Sequence, residues 1–122
     1  MEAYKEKENV IVTKTFDFAL KIIELYSKLV KQNEFVLSKQ LLKSGTSIGA
    51  NVEESVAAQT KKEFVSKMSI SAKEARETRY WLRLLNRSQL VKFNYSPYLS
   101  DIEEIIRIIT AIIKTSQTRL IK

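Results

Sequence analysis

A chain of 122 residues with 21 Lys and Arg against 14 Asp and Glu, a formal net charge of +7, is long enough for one domain with its own core and basic enough to attract polyanions. It contains no Cys and no His, which excludes disulfides, thiolate metal sites, cysteine nucleophiles and every Ser-His triad. Two glycines and one proline leave little turn chemistry for sheets, so the expected class is all-α.

In chain order, residues 1–12 alternate charges and read as a flexible N-terminal segment, with a four-helix bundle over 13–122. No leader peptide or membrane-spanning run is recognised, so a cytoplasmic protein with no membrane partner is expected. Helix 1 is predicted from Thr13 or Thr15 to about Gln32, with Phe16, Ala19, Leu20, Ile23, Ser27 and Val30 as its core stripe. Ser38 is the expected N-cap of helix 2, flanked by a Leu37/Leu42 staple, and that helix should reach about Ala58. Thr60 and Glu63 read as a capping box opening helix 3, whose seam is Phe64, Met68, Ser71, Ala75, Thr78, Leu82 and Leu85, ending near Arg87. After the longer connection "SQLVKFNYSP", Ser96-Pro97, or Ser100 with Glu103, should open helix 4, with Ile102, Ile105, Ile106, Ile109, Ile113 and Leu120 inward. Short connections make consecutive helices antiparallel neighbours, giving an antiparallel up-down-up-down four-helix bundle.

"SKQLLKSGTSIGANVEESVA", Ser38 to Ala57, lacks the six-residue glycine spacing and the Lys-Ser or Lys-Thr of a phosphate loop, so it is read as helix. Leu37, Leu41, Ser44, Ile48, Val52 and Ser55 face one way, with Leu42, Gly45, Gly49 and Val56 on an adjacent strip. Each interior glycine costs about 1 kcal/mol relative to alanine. Close approach of another helix would offset this, either within the chain or between subunits. Glu53 and Glu54 project about 100° apart and cannot share a substrate atom, so Asn51 and Glu54 are expected to bond a neighbouring helix rather than to catalyse.

Residues 61–92 hold nine basic residues against three glutamates, so six of the seven net positive charges lie on helix 3 and its end. Lys62, Lys73, Arg76, Arg79, Arg83 and Arg87, with Tyr80, fall within about a third of the helix circumference, away from the seam. Like charges at i and i+4 repel, which a polyanion would relieve: guanidinium forks match phosphate oxygens and tyrosine stacks on bases. A merely solvated basic face, or one docked on an acidic protein, remains the alternative. A third side of helix 3 carries Ile70, Glu74, Glu77 and Trp81. Helix 1 carries a second apolar stripe, Phe18, Ile22, Leu25 and Leu29. An apolar strip of that length marks an interface. A homo-oligomer is therefore expected, through Phe18, Ile22, Leu25, Leu29, Gly45, Gly49 and Trp81.

"SIGANVEE" on helix 2, Glu63-Phe64, and "KEARETRYWLRLL" on helix 3 resemble the bacterial four-helix bundle proteins encoded within intervening sequences of large-subunit ribosomal RNA genes. Asn51, Glu54, Lys73, Glu77 and Trp81 match motif positions of that family, and no catalytic role comes with them. The family is similar to the accessory protein of diversity-generating retroelements, a positively charged pentameric barrel of four-helix bundles that engages a reverse transcriptase and nucleic acid. The resemblance implies a homo-oligomer, a pentamer among the options, with RNA or DNA and a larger protein as partners. Stripe and resemblance together predict a non-enzymatic basic module that binds nucleic acid nonspecifically, as an accessory of a ribonucleoprotein or reverse-transcriptase system, with no cofactor, metal or catalytic residue. A protein-protein adaptor without nucleic acid is the competing expectation.

Overall fold

The computed structural model describes the backbone of residues 2–121 and the side chains of residues 10–118. Four helices follow one another: α1 Glu2–Lys31, α2 Leu37–Val56, α3 Lys61–Ser88 and α4 Ser96–Ile121. Both α1 and α3 pack against α2 and α4. The order around the bundle is therefore the order along the chain, and the connections at 32–36, 57–60 and 89–95 make neighbours antiparallel. The expected up-down-up-down bundle is the fold.

α1 begins well ahead of Thr13. The Thr15 hydroxyl does not cap a helix start; it donates to the Ile11 carbonyl at 2.7 Å, one turn back inside the helix. The expected flexible segment falls mostly on residues 1–9, whose side chains lie outside the described residues, and the backbone of 2–12 is helical.

The two apolar stripes of α1 are placed the other way round from the sequence reading. Phe18, Ile22, Leu25 and Leu29 are buried in the bundle's own core with Ile11, whereas Phe16, Leu20 and Ile23 are each about half exposed. Both stripes have helical spacing, so periodicity alone does not rank them. The glycines of α2 do: a Cβ on Gly45 would lie 2.9 Å from Ile22 Cγ2, and one on Gly49 would lie 3.3 Å from the Thr15 carbonyl oxygen. Gly45 and Gly49 thus let α2 approach α1 closely within one chain. The six positions expected at a subunit contact, Phe18, Ile22, Leu25, Leu29, Gly45 and Gly49, are interior to the bundle, and Trp81 is half-buried.

Ser38 is not the cap of α2, which starts one residue before it. Glu34 takes that role from the preceding loop: its Oε1 accepts from the amides of Val36 (3.1 Å) and Leu37 (2.8 Å), and its Oε2 from Ser38 (2.6 Å). The α2–α3 seam is partly polar. Thr78 Oγ1 donates to Ser44 Oγ at 2.9 Å and Ser71 Oγ to the Ile48 carbonyl at 2.8 Å, which satisfies these buried hydroxyls and pins the register of the two helices. Every residue expected in the α3 seam is buried. Thr60 caps α3 by accepting from the Glu63 amide at 3.0 Å; in return Glu63 Oε2 accepts from the Gln59 amide at 3.4 Å.

α4 opens at Ser96, whose amide donates to Asn94 Oδ1 at 3.2 Å, while Glu103 points to α3. Ile102, Ile105 and Ile109 are buried as expected. Ile112 is buried where Ile106 and Ile113 were expected and are only partly so; Leu120 lies outside the described side chains. Lys14–Glu104 (2.7 Å) and Lys21–Asp101 (2.9 Å) tie α1 to α4 along their outer edge.

Candidate nucleic-acid interface

The seam of α3 fixes the direction of every other side chain on that helix. With Phe64, Met68, Ala75, Leu82 and Leu85 turned inward, Lys62, Lys73, Arg76, Tyr80, Arg83 and Arg87 are exposed. None of the five cations among these forms a salt bridge among the described residues. The tyrosine stands in the same strip, its ring edge-on to Trp81 with centroids 5.2 Å apart.

Arg79 departs from the expected strip. It sits at the α4 edge, where the bundle draws it in: its Nη1 donates to Glu103 Oε1 at 3.2 Å, and the side chain is only one-third exposed. The sequence reading put Arg79 among six equivalent cations because a helical wheel shows no neighbouring helix. Lys67 is likewise engaged, its Nζ 3.7 Å from Glu54 Oε1 of α2, an ion pair across the two helices rather than the hydrogen bond expected of Glu54. Asn51 does not reach across; its Nδ2 donates to the Ser47 carbonyl of its own helix at 2.9 Å.

The opposite flank of α3 has different chemistry. Ile70 is 40% exposed, Trp81 is half-buried, and the Trp81 Nε1 atom is buried without a hydrogen-bond partner, the one such atom among the described side chains. Burial pushes the Glu74 carboxyl above its ordinary range, Glu77 adds to the effect, and Lys43 and Lys73 pull against it. Among the described residues no three acidic side chains converge as a metal ion would require. No described helix is long and apolar enough to cross a membrane.

An antiparallel bundle whose third helix presents an exposed basic strip beside a mixed apolar-acidic flank defines the class. The 23S rRNA-intervening sequence protein family matches residues 7–111, and the chain belongs to that family. The resemblance seen in "SIGANVEE" and "KEARETRYWLRLL" is thereby borne out. Among solved structures the chain is similar to a protein with unknown function from the S23 ribosomal protein family of Bacteroides thetaiotaomicron VPI-5482. The identity is 46%, over 88% of this chain and 98% of that one, with a TM-score of 0.84. No curated protein matches it.

Proposed function

We propose that the protein is a non-enzymatic, basic helical-bundle module that binds RNA or DNA without sequence preference, as an accessory of a ribonucleoprotein or reverse-transcriptase system. The observation that carries this reading is the strip Lys62, Lys73, Arg76, Arg83 and Arg87, exposed beside Tyr80 and without a salt bridge among the described residues. Cations that repel one another along a helix, with no salt bridge among the described residues, favour a polyanionic partner whose bound counterions are released on contact. The strip contains no arrangement of donors and acceptors fixed against neighbours, so it reads backbone phosphate rather than base edges.

Replacing Arg76, Arg83 and Arg87 together by Gln is expected to weaken binding to RNA and to duplex DNA alike. It should also make the dependence of log Kd on log salt shallower by about 2 to 3, at roughly 0.7 to 0.9 per lost phosphate contact. Unchanged binding would remove the strip from the mechanism. Failure of the wild-type protein to bind either polymer would favour the adaptor reading, in which the basic face docks an acidic protein.

The module acts as a homo-oligomer. Support comes from the exposed strip Phe16, Leu20 and Ile23 of α1, three large apolar side chains on one face that the bundle leaves in water. Light scattering should return a mass that is a multiple of the 14.1 kDa of one chain. A single-chain mass at high micromolar concentration would end the oligomer.

A further inference from the structure

Where α1 ends and the α3–α4 connection crosses over it, the surface holds a hollow of about 220 Å³ lined by Lys28, Leu29, Lys31, Gln32, Val91, Lys92 and Phe93. Its floor is apolar, because Leu29 and Val91 are buried. Its wall is the half-buried Phe93 ring, braced edge-on by Tyr95 at 5.6 Å between centroids and by Tyr98 at 6.2 Å. Three lysines and an amide form the rim, and no acid lines it. Lys28 Nζ lies 5.3 Å from the Phe93 centroid and 3.4 Å from Glu24 one turn earlier. Lys31 and Lys92 are exposed and form no salt bridge among the described residues.

Lys28 and Lys31 sit in the last turn of α1, where cations favour the negative end of the helix dipole. That explanation does not extend to Lys92, which lies past the end of α3 and comes to the same rim through the chain crossing. Nor does it explain an apolar floor beneath three cations. Arg87, in the last turn of α3, leads from the basic strip into this connection.

We propose that the hollow seats one nucleotide of a single strand, with its phosphate on Lys31 and Lys92 and its sugar or base over Leu29, Val91 and the edge of Phe93. The idea rests on the nucleic-acid reading above and sharpens it to single-stranded polymer. A strand can turn one unstacked nucleotide into a recess, whereas a duplex presents phosphates on a rigid cylinder with its bases stacked inside. At this size the recess is smaller than the roughly 300–1,000 Å³ clefts that enclose a whole drug-sized ligand, which suits a single unit of a longer chain.

The test compares a fluorescent twelve-nucleotide single strand with the same sequence as a blunt duplex, by anisotropy across a salt series. Proteins are wild type, Lys31→Gln/Lys92→Gln, and Arg76→Gln/Arg83→Gln/Arg87→Gln. The lysine variant should make the salt slope for the single strand shallower by about 0.7, the share of the one phosphate that the pair holds. Its slope for the duplex should not change, while the arginine variant weakens both. Equal losses on both polymers, or none on either, overturn the hollow, and a continuing effect of the arginine variant then leaves the wider reading standing. Wild-type protein that binds neither polymer ends both. A Glu-rich peptide of equal charge that binds as tightly as the strand, and loses as much in the lysine variant, would reassign the hollow to an acidic protein.

Discussion

Ala75→Arg is expected to destabilise the folded bundle severely. Ala75 is fully buried midway along α3, in a seam shared with Met68, Ala72 and Leu82. An arginine there has to push a long chain into close-packed surroundings and leave a guanidinium without a counter-charge. The buried acid among the described residues is Glu34, and its carboxylate is already committed to three amides at the start of α2. Such a charge costs about 4 kcal/mol or more, a large part of the stability of a domain this size. Thermal melting followed by circular dichroism should show a midpoint lower by roughly 15 °C or no cooperative transition. Arg76→Ala, one residue on and exposed, should melt close to wild type. Near-normal melting of Ala75→Arg would mean that the seam lies elsewhere.

Glu34→Ala should cost about 2 kcal/mol, since it strips the partner from three amides at the start of α2, the Ser38 amide among them at a buried residue. The urea midpoint should fall with little change in slope, and Glu34→Gln should keep part of the stability through its remaining carbonyl oxygen. The same group makes the bundle acid-sensitive. Burial by itself pushes the Glu34 carboxyl up, but the amides of Leu37, Ser38 and Val36 together with the Ser38 hydroxyl outweigh it, and the net shift is downward. A carboxyl held below its unfolded value, about 4.3, contributes stability that is complete above that pH and is lost as the pH falls through the lowered folded value. Wild type should therefore lose stability below about pH 4.3, and Glu34→Ala should lose less over the same window. Identical acid profiles for the two proteins would show that the Glu34 carboxylate contributes no pH-dependent stability.

Glu34 also marks a boundary of what the sequence discloses. The bundle, its connections and the whole α3 seam were legible, because α3 has one long apolar or small stripe while its other sides are basic or mixed apolar-acidic, and only one assignment buries the first. On α1 two apolar stripes compete. The choice between Phe16-Leu20-Ile23 and Phe18-Ile22-Leu25-Leu29 is decided by the partner helix, whose Gly45 and Gly49 are cut to receive Ile22 and Thr15. The glycines were visible; which stripe they accept is a tertiary fact. Caps misled for a local reason: Thr15 and Ser38 have cap chemistry but donate to carbonyls four residues back, and the α2 cap is a glutamate outside the helix. In the basic strip, the spacing of Lys62, Lys73, Arg76, Tyr80, Arg83 and Arg87 gave their common exposure correctly. It could not exempt Arg79, because Glu103 lies 24 residues away on another helix. The Lys28, Lys31, Lys92 and Phe93 hollow carried no sequence signal, since the cations come from two distant segments.

The direct test of the basic strip is retention of RNA and duplex DNA by the purified wild-type protein on filters at about 50 and 200 mM salt. Five exposed cations engaging phosphates predict binding at the lower concentration and a loss on the order of a hundredfold at the higher one. No retention at low salt, or an affinity indifferent to salt, would contradict the assignment of α3 to a polyanion.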